Sequence, residues 1–147
     1  MRALLPLLMA LCVSCSAATR ARRHTERDTR SLGEAAGAYW LAVRWGDVNA
    51  ASAFLETPAQ QLQLGRVLQD AQVRVTEVGV LQVVVGEELP DARAPETREG
   101  VAVVRIEGYD VRSGRVEVVS LEQHWVRADR VWKVDAERSP VGASRAW

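Results

Sequence analysis

An α+β fold is predicted, with helices first and a bent antiparallel sheet after them. Apolar residues recur at three- and four-residue intervals up to about residue 68, the spacing of buried helical faces. From Gln72 the interval drops to two and valine becomes the dominant apolar residue, as in half-buried strands. Helices grouped first and a bent antiparallel sheet afterwards are the order of an α+β domain.

The first helical face is Leu32, Ala36, Tyr39, Trp40 and Val43. Gly46 stands where a helix ends on a left-handed residue, and Asp47 follows as an N-cap. A short helix over Val48 to Leu55 then turns Ala50 or Ala51, with Phe54 and Leu55, toward the core. Thr57-Pro58-Ala59-Gln60 is a third start signal, with a capping threonine, proline at the first helical position and glutamine three residues after the cap. Leu62, Leu64, Val67 and Leu68 form its apolar face, weakened by Gly65.

Along the first strand Val73 and Val75 fall on one face, Val78 and Val80 on the other, and Leu81, Val83 and Val85 on the first again. That phase change predicts a bulge or bend near Gly79. Gly86 to Gly100, with two prolines and no period, reads as a mobile connection. Three antiparallel strands are expected at Val101 to Tyr109, Arg115 to Arg127 and Arg130 to Asp135, joined by turns at Asp110 to Gly114 and Ala128-Asp129. Arg138 to Trp147 reads as a disordered tail.

The chain has 147 residues, 48% apolar and 26% charged, which suits one folded domain. Its 19 basic and 19 acidic residues cancel, which argues against nucleic acid as a partner, since phosphate binding draws on clustered cations. The amino-terminal end carries an address instead. Arg2 precedes an apolar run from Ala3 to Val13, and small Ser14 stands before Cys15. These are the parts of a secretory signal, too short to span a bilayer. The window Cys12-Val13-Ser14-Cys15 resembles the bacterial lipobox, although Cys12 stands where Leu is usual. That resemblance implies cleavage after residue 14, lipidation of Cys15 and attachment to the cell-envelope membrane. Ser16 beside the cysteine resembles the sorting context of the outer rather than the inner membrane. Ordinary cleavage after Ala17 or Ala18 is the alternative. Residues 15–30 then form a basic tether, five arginines against Glu26 and Asp28, either a solvated spacer or a contact for anionic headgroups.

The folded part is expected over residues 31–137, and here a family is suggested. Tyr39-Trp40-Leu41-Ala42-Val43 with Gly46-Asp47, then Ala50-Ala51 and Phe54-Leu55, resembles the opening of NTF2-like (SnoaL-like) domains. Glu122-Gln123-His124-Trp125-Val126-Arg127, a two-residue turn and Val131-Trp132-Lys133-Val134 are similar to the last hairpin of such domains. The resemblance implies a cone in which a strongly curved sheet wraps around the helices and leaves a pocket at its wide end.

The same family holds enzymes and non-catalytic modules. Enzymatic members, isomerases, dehydratases and cyclases, need an acid or base inside the cone. Histidine is the side chain that ordinarily titrates near neutrality, and His124 is the one histidine of the expected domain. On its strand it shares a face with Glu122, Val118 and Val116, while Trp125 shares the other with Leu121 and Val119. The tryptophan face is the expected lining, so His124 is the catalytic candidate but is expected outside. Tyr39, Trp45 and Trp132 are the ligand-stacking candidates, Trp45 being the one expected to be exposed. No G-x-S-x-G, phosphate loop or H-x-x-x-H occurs, and the C-x-x-C pair Cys12 and Cys15, a spacing that can serve redox or zinc chemistry, lies in an apolar signal without further ligands, so no cofactor or metal is expected. The reading that follows is a non-catalytic lipoprotein whose domain binds a protein partner or a small apolar ligand; a proton-transfer enzyme is the alternative.

Overall fold

A computed structural model describes residues 4–70, 72–86 and 98–139 of the chain. Three helices, α1 (Leu4–Trp45), α2 (Val48–Ser52) and α3 (Pro58–Asp70), precede four strands, β1 (Val73–Val85), β2 (Arg98–Asp110), β3 (Val116–Ala128) and β4 (Val131–Val134). The strands form one antiparallel sheet in the order β1-β2-β3-β4, with the helices packed against it. The predicted α+β class is the class observed.

The helix boundaries follow from local chemistry. At the end of α1 the Gly46 N–H donates to the Val43 carbonyl (3.1 Å) and the Asp47 N–H to the Ala42 carbonyl (2.9 Å), with Gly46 at φ 67°. This paired closure satisfies carbonyls the helix would leave open, and it needs a residue without a Cβ. Asp47 then caps α2, its Oδ1 accepting from the Ala50 N–H at 3.0 Å. At α3 the cap is reciprocal: Thr57 Oγ1 accepts from the Gln60 N–H, and Gln60 Oε1 accepts from the Thr57 and Glu56 N–H groups. Leu64 is the fully buried residue of α3, with Leu68 packed beside it, whereas Leu62, expected on the same face, is 66% exposed.

The five residues predicted for the buried face of α1 are all in the core. The packed face also reaches one turn further back than Ser31, because Asp28 is buried against the sheet. The helix itself continues through the residues read as a tether. Among the described residues, no helix is long and apolar enough to cross a membrane.

In β1 the expected bend is resolved into two bulges. The register with β2 shifts between Val75 and Glu77 and again between Val80 and Gln82, so Thr76 and Leu81 are extra residues on either side of Gly79. Each shift restores the phase, and Val75, Val78, Val80, Val83 and Val85 all share the face of Gly108, Ile106, Val104, Ala102 and Gly100 on β2. Leu81 therefore leaves the predicted inward set and is 59% exposed. At Gly100 the helix comes close: a Cβ there would lie 2.3 Å from Leu32 Cδ2, so only glycine lets Leu32 seat on the sheet.

Strand β2 starts at Arg98, three residues before the expected Val101; the rest of the expected mobile connection, residues 87–97, lies outside the described residues. The β3–β4 turn sits one residue later than expected, with Asp129 and Arg130 both at positive φ (48° and 68°), the backbone of a two-residue hairpin turn that matches strand twist. Arg138 and Ser139, assigned above to the tail, are held: Arg138 Nη1 lies 2.9 Å from Glu99 Oε2, and Ser139 is 4% exposed. Residues 140–147 lie outside the described residues.

Candidate functional site

The helix-facing side of the sheet is filled by interlocked aromatic rings. Tyr39 of α1 stands edge-on to Trp40 (5.4 Å between ring centroids), to Phe54 (6.1 Å) and to Trp125 of β3 (5.9 Å), and Phe54 meets Trp125 at 6.0 Å. Edge-to-face contact sets the positive rim of one ring against the negative face of the next. Trp40 and Trp125 are both fully buried in this one core, as the assignment of faces requires. On the same face of β3 as Trp125 stands Gln123, also 0% exposed, whose Oε1 accepts from Trp40 Nε1 at 3.0 Å. Among the described residues, Gln123 Nε2 and Trp125 Nε1 are buried with no hydrogen-bond partner. This wall can donate hydrogen bonds; of the buried carboxylates among the described residues, Asp28 meets Arg98 and Arg127, Glu99 meets Arg138, and Asp135 follows the end of β4.

His124 occupies the opposite face. In the register it pairs with Val101, whereas Gln123 pairs with Ala102 and Trp125 with Gly100, so alternation turns its imidazole away from the helices. Its Nε2 is 3.3 Å from Glu122 Oε1, and its side chain keeps 23% of its surface in solvent. The turn after β4 clasps its backbone, the His124 N–H donating to Ser139 Oγ (2.6 Å) and its carbonyl accepting from the Asp135 N–H (2.9 Å). These contacts hold the end of the strand.

A third cluster pins the stem of α1. Asp28 accepts from Arg127 Nη1 and lies 3.6 Å from Arg98 Nε, with 9% of its side chain exposed. The Arg127 guanidinium stacks over Trp132 at 5.7 Å, Trp132 Nε1 donates to Ser31 Oγ (2.9 Å), and Ser31 Oγ donates to the Asp28 carbonyl (2.9 Å). A buried carboxylate costs several kcal/mol unless paired, and here two arginines pair it. The consequence is rotational: the cluster sets which side of α1 meets the sheet.

The predicted ligand trio is not brought together. Tyr39 and Trp132 are 0% and 3% exposed and serve the core and the stem cluster, while Trp45 stands out at the end of α1, 73% exposed, with the Arg44 guanidinium 5.3 Å from its ring. Cys15 lies within the helical run of α1. An open groove of about 900 Å³ lies elsewhere, between α2 and α3, with Val48, Ser52, Leu62 and Arg66 among its walls. No family model and no curated protein matches this chain. Among the described residues, no group of three or more His, Asp or Glu side chains could hold a metal ion.

Sequence reasoning missed Gln123 and Asp28. Parity with Trp125 was the available signal for Gln123, and spacing was the signal for Asp28, four residues before Leu32.

Proposed function

We propose that this chain is a cell-envelope lipoprotein, anchored through Cys15, whose NTF2-like domain binds a protein partner or a small apolar ligand and does no chemistry on it. The order of three helices and a four-stranded antiparallel sheet suits the cone of that family, and the two bulges supply bending of the kind such a sheet needs. One observation carries the binding reading. The space between helices and sheet is occupied by Tyr39, Trp40, Phe54, Trp125 and Gln123, and the titratable His124 points the other way, while Leu62 stands exposed in the wall of an open groove. An apolar ligand therefore docks between α2 and α3 rather than inside the cone. Proton transfer, the alternative, would need an acid or base among the interior groups.

Two measurements test this. Intact-mass analysis of membrane-extracted protein should give an acylated Cys15 as its first residue; a soluble product beginning at Ala18 or later overturns the anchor. Titration with lauric acid, followed by methyl NMR, should move the resonances of Leu62 and Val48 while leaving Val104 and Ile106 in place. Movement of Val104 and Ile106 alone would return the site to the cone.

A further inference from the structure

The face of α1 turned away from the sheet carries a pattern of its own. Residues 23, 27, 30, 34, 38, 41 and 45 follow each other at three- and four-residue steps, which aligns them along one side of the helix, and every one of them is exposed. In order they are Arg23, Arg27, Arg30, Glu34, Ala38, Leu41 and Trp45, three cations followed by two large apolar side chains, Leu41 52% and Trp45 73% exposed. The buried residues Asp28, Leu32, Ala36, Tyr39 and Val43 occupy the other side. Because the Asp28 cluster fixes the rotation of the helix, this outward face belongs to the rigid domain and not to a swivelling spacer.

We propose that the outward face of α1 lies flat on an anionic lipid surface, with Arg23, Arg27 and Arg30 on headgroup phosphates and Leu41 and Trp45 at the boundary with the acyl chains. Charge complementarity selects this occupant. A second copy packed parallel would set guanidiniums against guanidiniums, and one packed antiparallel would set Glu34 against Glu34 and leave Arg23, Arg27 and Arg30 facing Trp45, Leu41 and Ala38 with no carboxylate to meet them. A soluble polyanion would use the arginines and leave Leu41 and Trp45 in water. A lipid surface uses both, since basic residues sit at phosphates while tryptophan and leucine enter the boundary below them. The dimensions agree: from Arg23 to Trp45 the face runs about 33 Å at 1.5 Å per residue, and Arg23 lies about 12 Å from Cys15. The orientation rests on the lipoprotein reading for its proximity to a membrane, but its chemistry does not need the acyl chain.

The full chain, translated without acylation, would be titrated with phosphatidylcholine vesicles and with vesicles containing 30% phosphatidylglycerol, both with brominated acyl chains. The difference in tryptophan emission between wild type and Trp45→Phe isolates Trp45. It should be quenched strongly with the anionic vesicles and weakly with the neutral ones, where the apolar amino-terminal run sets the baseline. Arg23→Gln/Arg27→Gln/Arg30→Gln should raise the anionic lipid needed for half-quenching by about fivefold per arginine, roughly 10²-fold in all. Arg22→Gln, about a third of a turn away on the helix, should change it far less. Unquenched Trp45, an equal effect of Arg22→Gln, or tight binding to polyphosphate with Trp45 still in water would each overturn the proposal. Intact mass of the cell-derived protein separates the two ideas: an acylated chain with unquenched Trp45 removes this orientation and keeps the anchor, and a quenched but never acylated chain does the reverse.

Discussion

Trp40→Phe is the sharpest probe of the interior, because one hydrogen bond there joins two elements 83 residues apart. The substitution removes the indole N–H that Gln123 Oε1 accepts, and Gln123 Nε2 already lacks a partner, so both ends of a fully buried amide are left unpaired. An orphaned buried acceptor costs about 1–3 kcal/mol. The smaller ring leaves roughly 40 Å³ unfilled, which at about 24 cal/mol per Å³ adds about 1 kcal/mol. Trp40→Phe should therefore cost about 2–4 kcal/mol, a large share of the ~5–15 kcal/mol that holds a domain together. Gln123→Met keeps the shape and removes the orphaned N–H, but strands the Trp40 donor, for a cost of about 0–2 kcal/mol. The double variant has no stranded polar group on either side and should lose little more than the cavity contribution, about 1 kcal/mol. Urea unfolding of the four proteins closes the cycle, and the coupling should be about 1–5 kcal/mol. If the two single costs add to within about 0.5 kcal/mol of the double, the buried amide is not what links helix to sheet, and the reasoning fails.

Four other outcomes are expected. Gly100→Ala drives a Cβ to within 2.3 Å of Leu32 Cδ2 and should cost about 1–3 kcal/mol in thermal unfolding, partly recovered by adding Leu32→Val. The N–H groups of Ser113 (2.8 Å) and Arg112 (2.7 Å) both donate to Asp110 Oδ1 and hold its carboxyl below the ordinary value of 3.8. A lowered folded pKa stabilises above the unfolded value and is lost as pH falls through the folded one, so the protection of those two amides, relative to their intrinsic exchange rates, should fall only below about pH 3.8 and should be low throughout in Asp110→Ala, which removes the acceptor. Arg130→Gly relieves a side chain held at φ 68° and should raise stability by up to about 1 kcal/mol; a loss would mean the turn is not strained as read. His124→Gln gives up a contact with an exposed Glu122 and should change stability by less than about 1 kcal/mol with membrane extraction unaltered, whereas a larger change would give that imidazole a role the outer face does not explain.

What was legible in the sequence is what local chemistry decides. Gly46, Asp47 and the Thr57–Gln60 box each act within a few residues, and the structure places their hydrogen bonds where the spacing calls for them. Faces were legible where the period ran unbroken, as in α1 from Leu32 to Val43 and in β3 from Val119 to Trp125. Leu62 was misassigned because α3 meets the core along a narrower strip than its apolar residues define. Asp28 falls in the stretch expected to be a tether because its partners, Arg98 and Arg127, arrive from strands some seventy and a hundred residues later. The candidate site was harder still, since tryptophan looks alike in sequence whether it fills a core, as Trp132 does beside Ser31, or stands in water, as Trp45 does.

With Thr76 and Leu81 set aside, β1 reads Val-Arg-Val-Glu-Val-Gly-Val-Gln-Val-Val-Val, eleven residues with valine at every odd place that match Gly100 to Asp110 of β2 one for one. The strand is thus a regular template with two insertions. The template decides which side chains are covered, and the insertions decide where the strand twists. Burial and irregularity are therefore written by different residues, so deleting Thr76 or Leu81, both exposed, would remove a bulge while leaving every core side chain of the strand with its present partner.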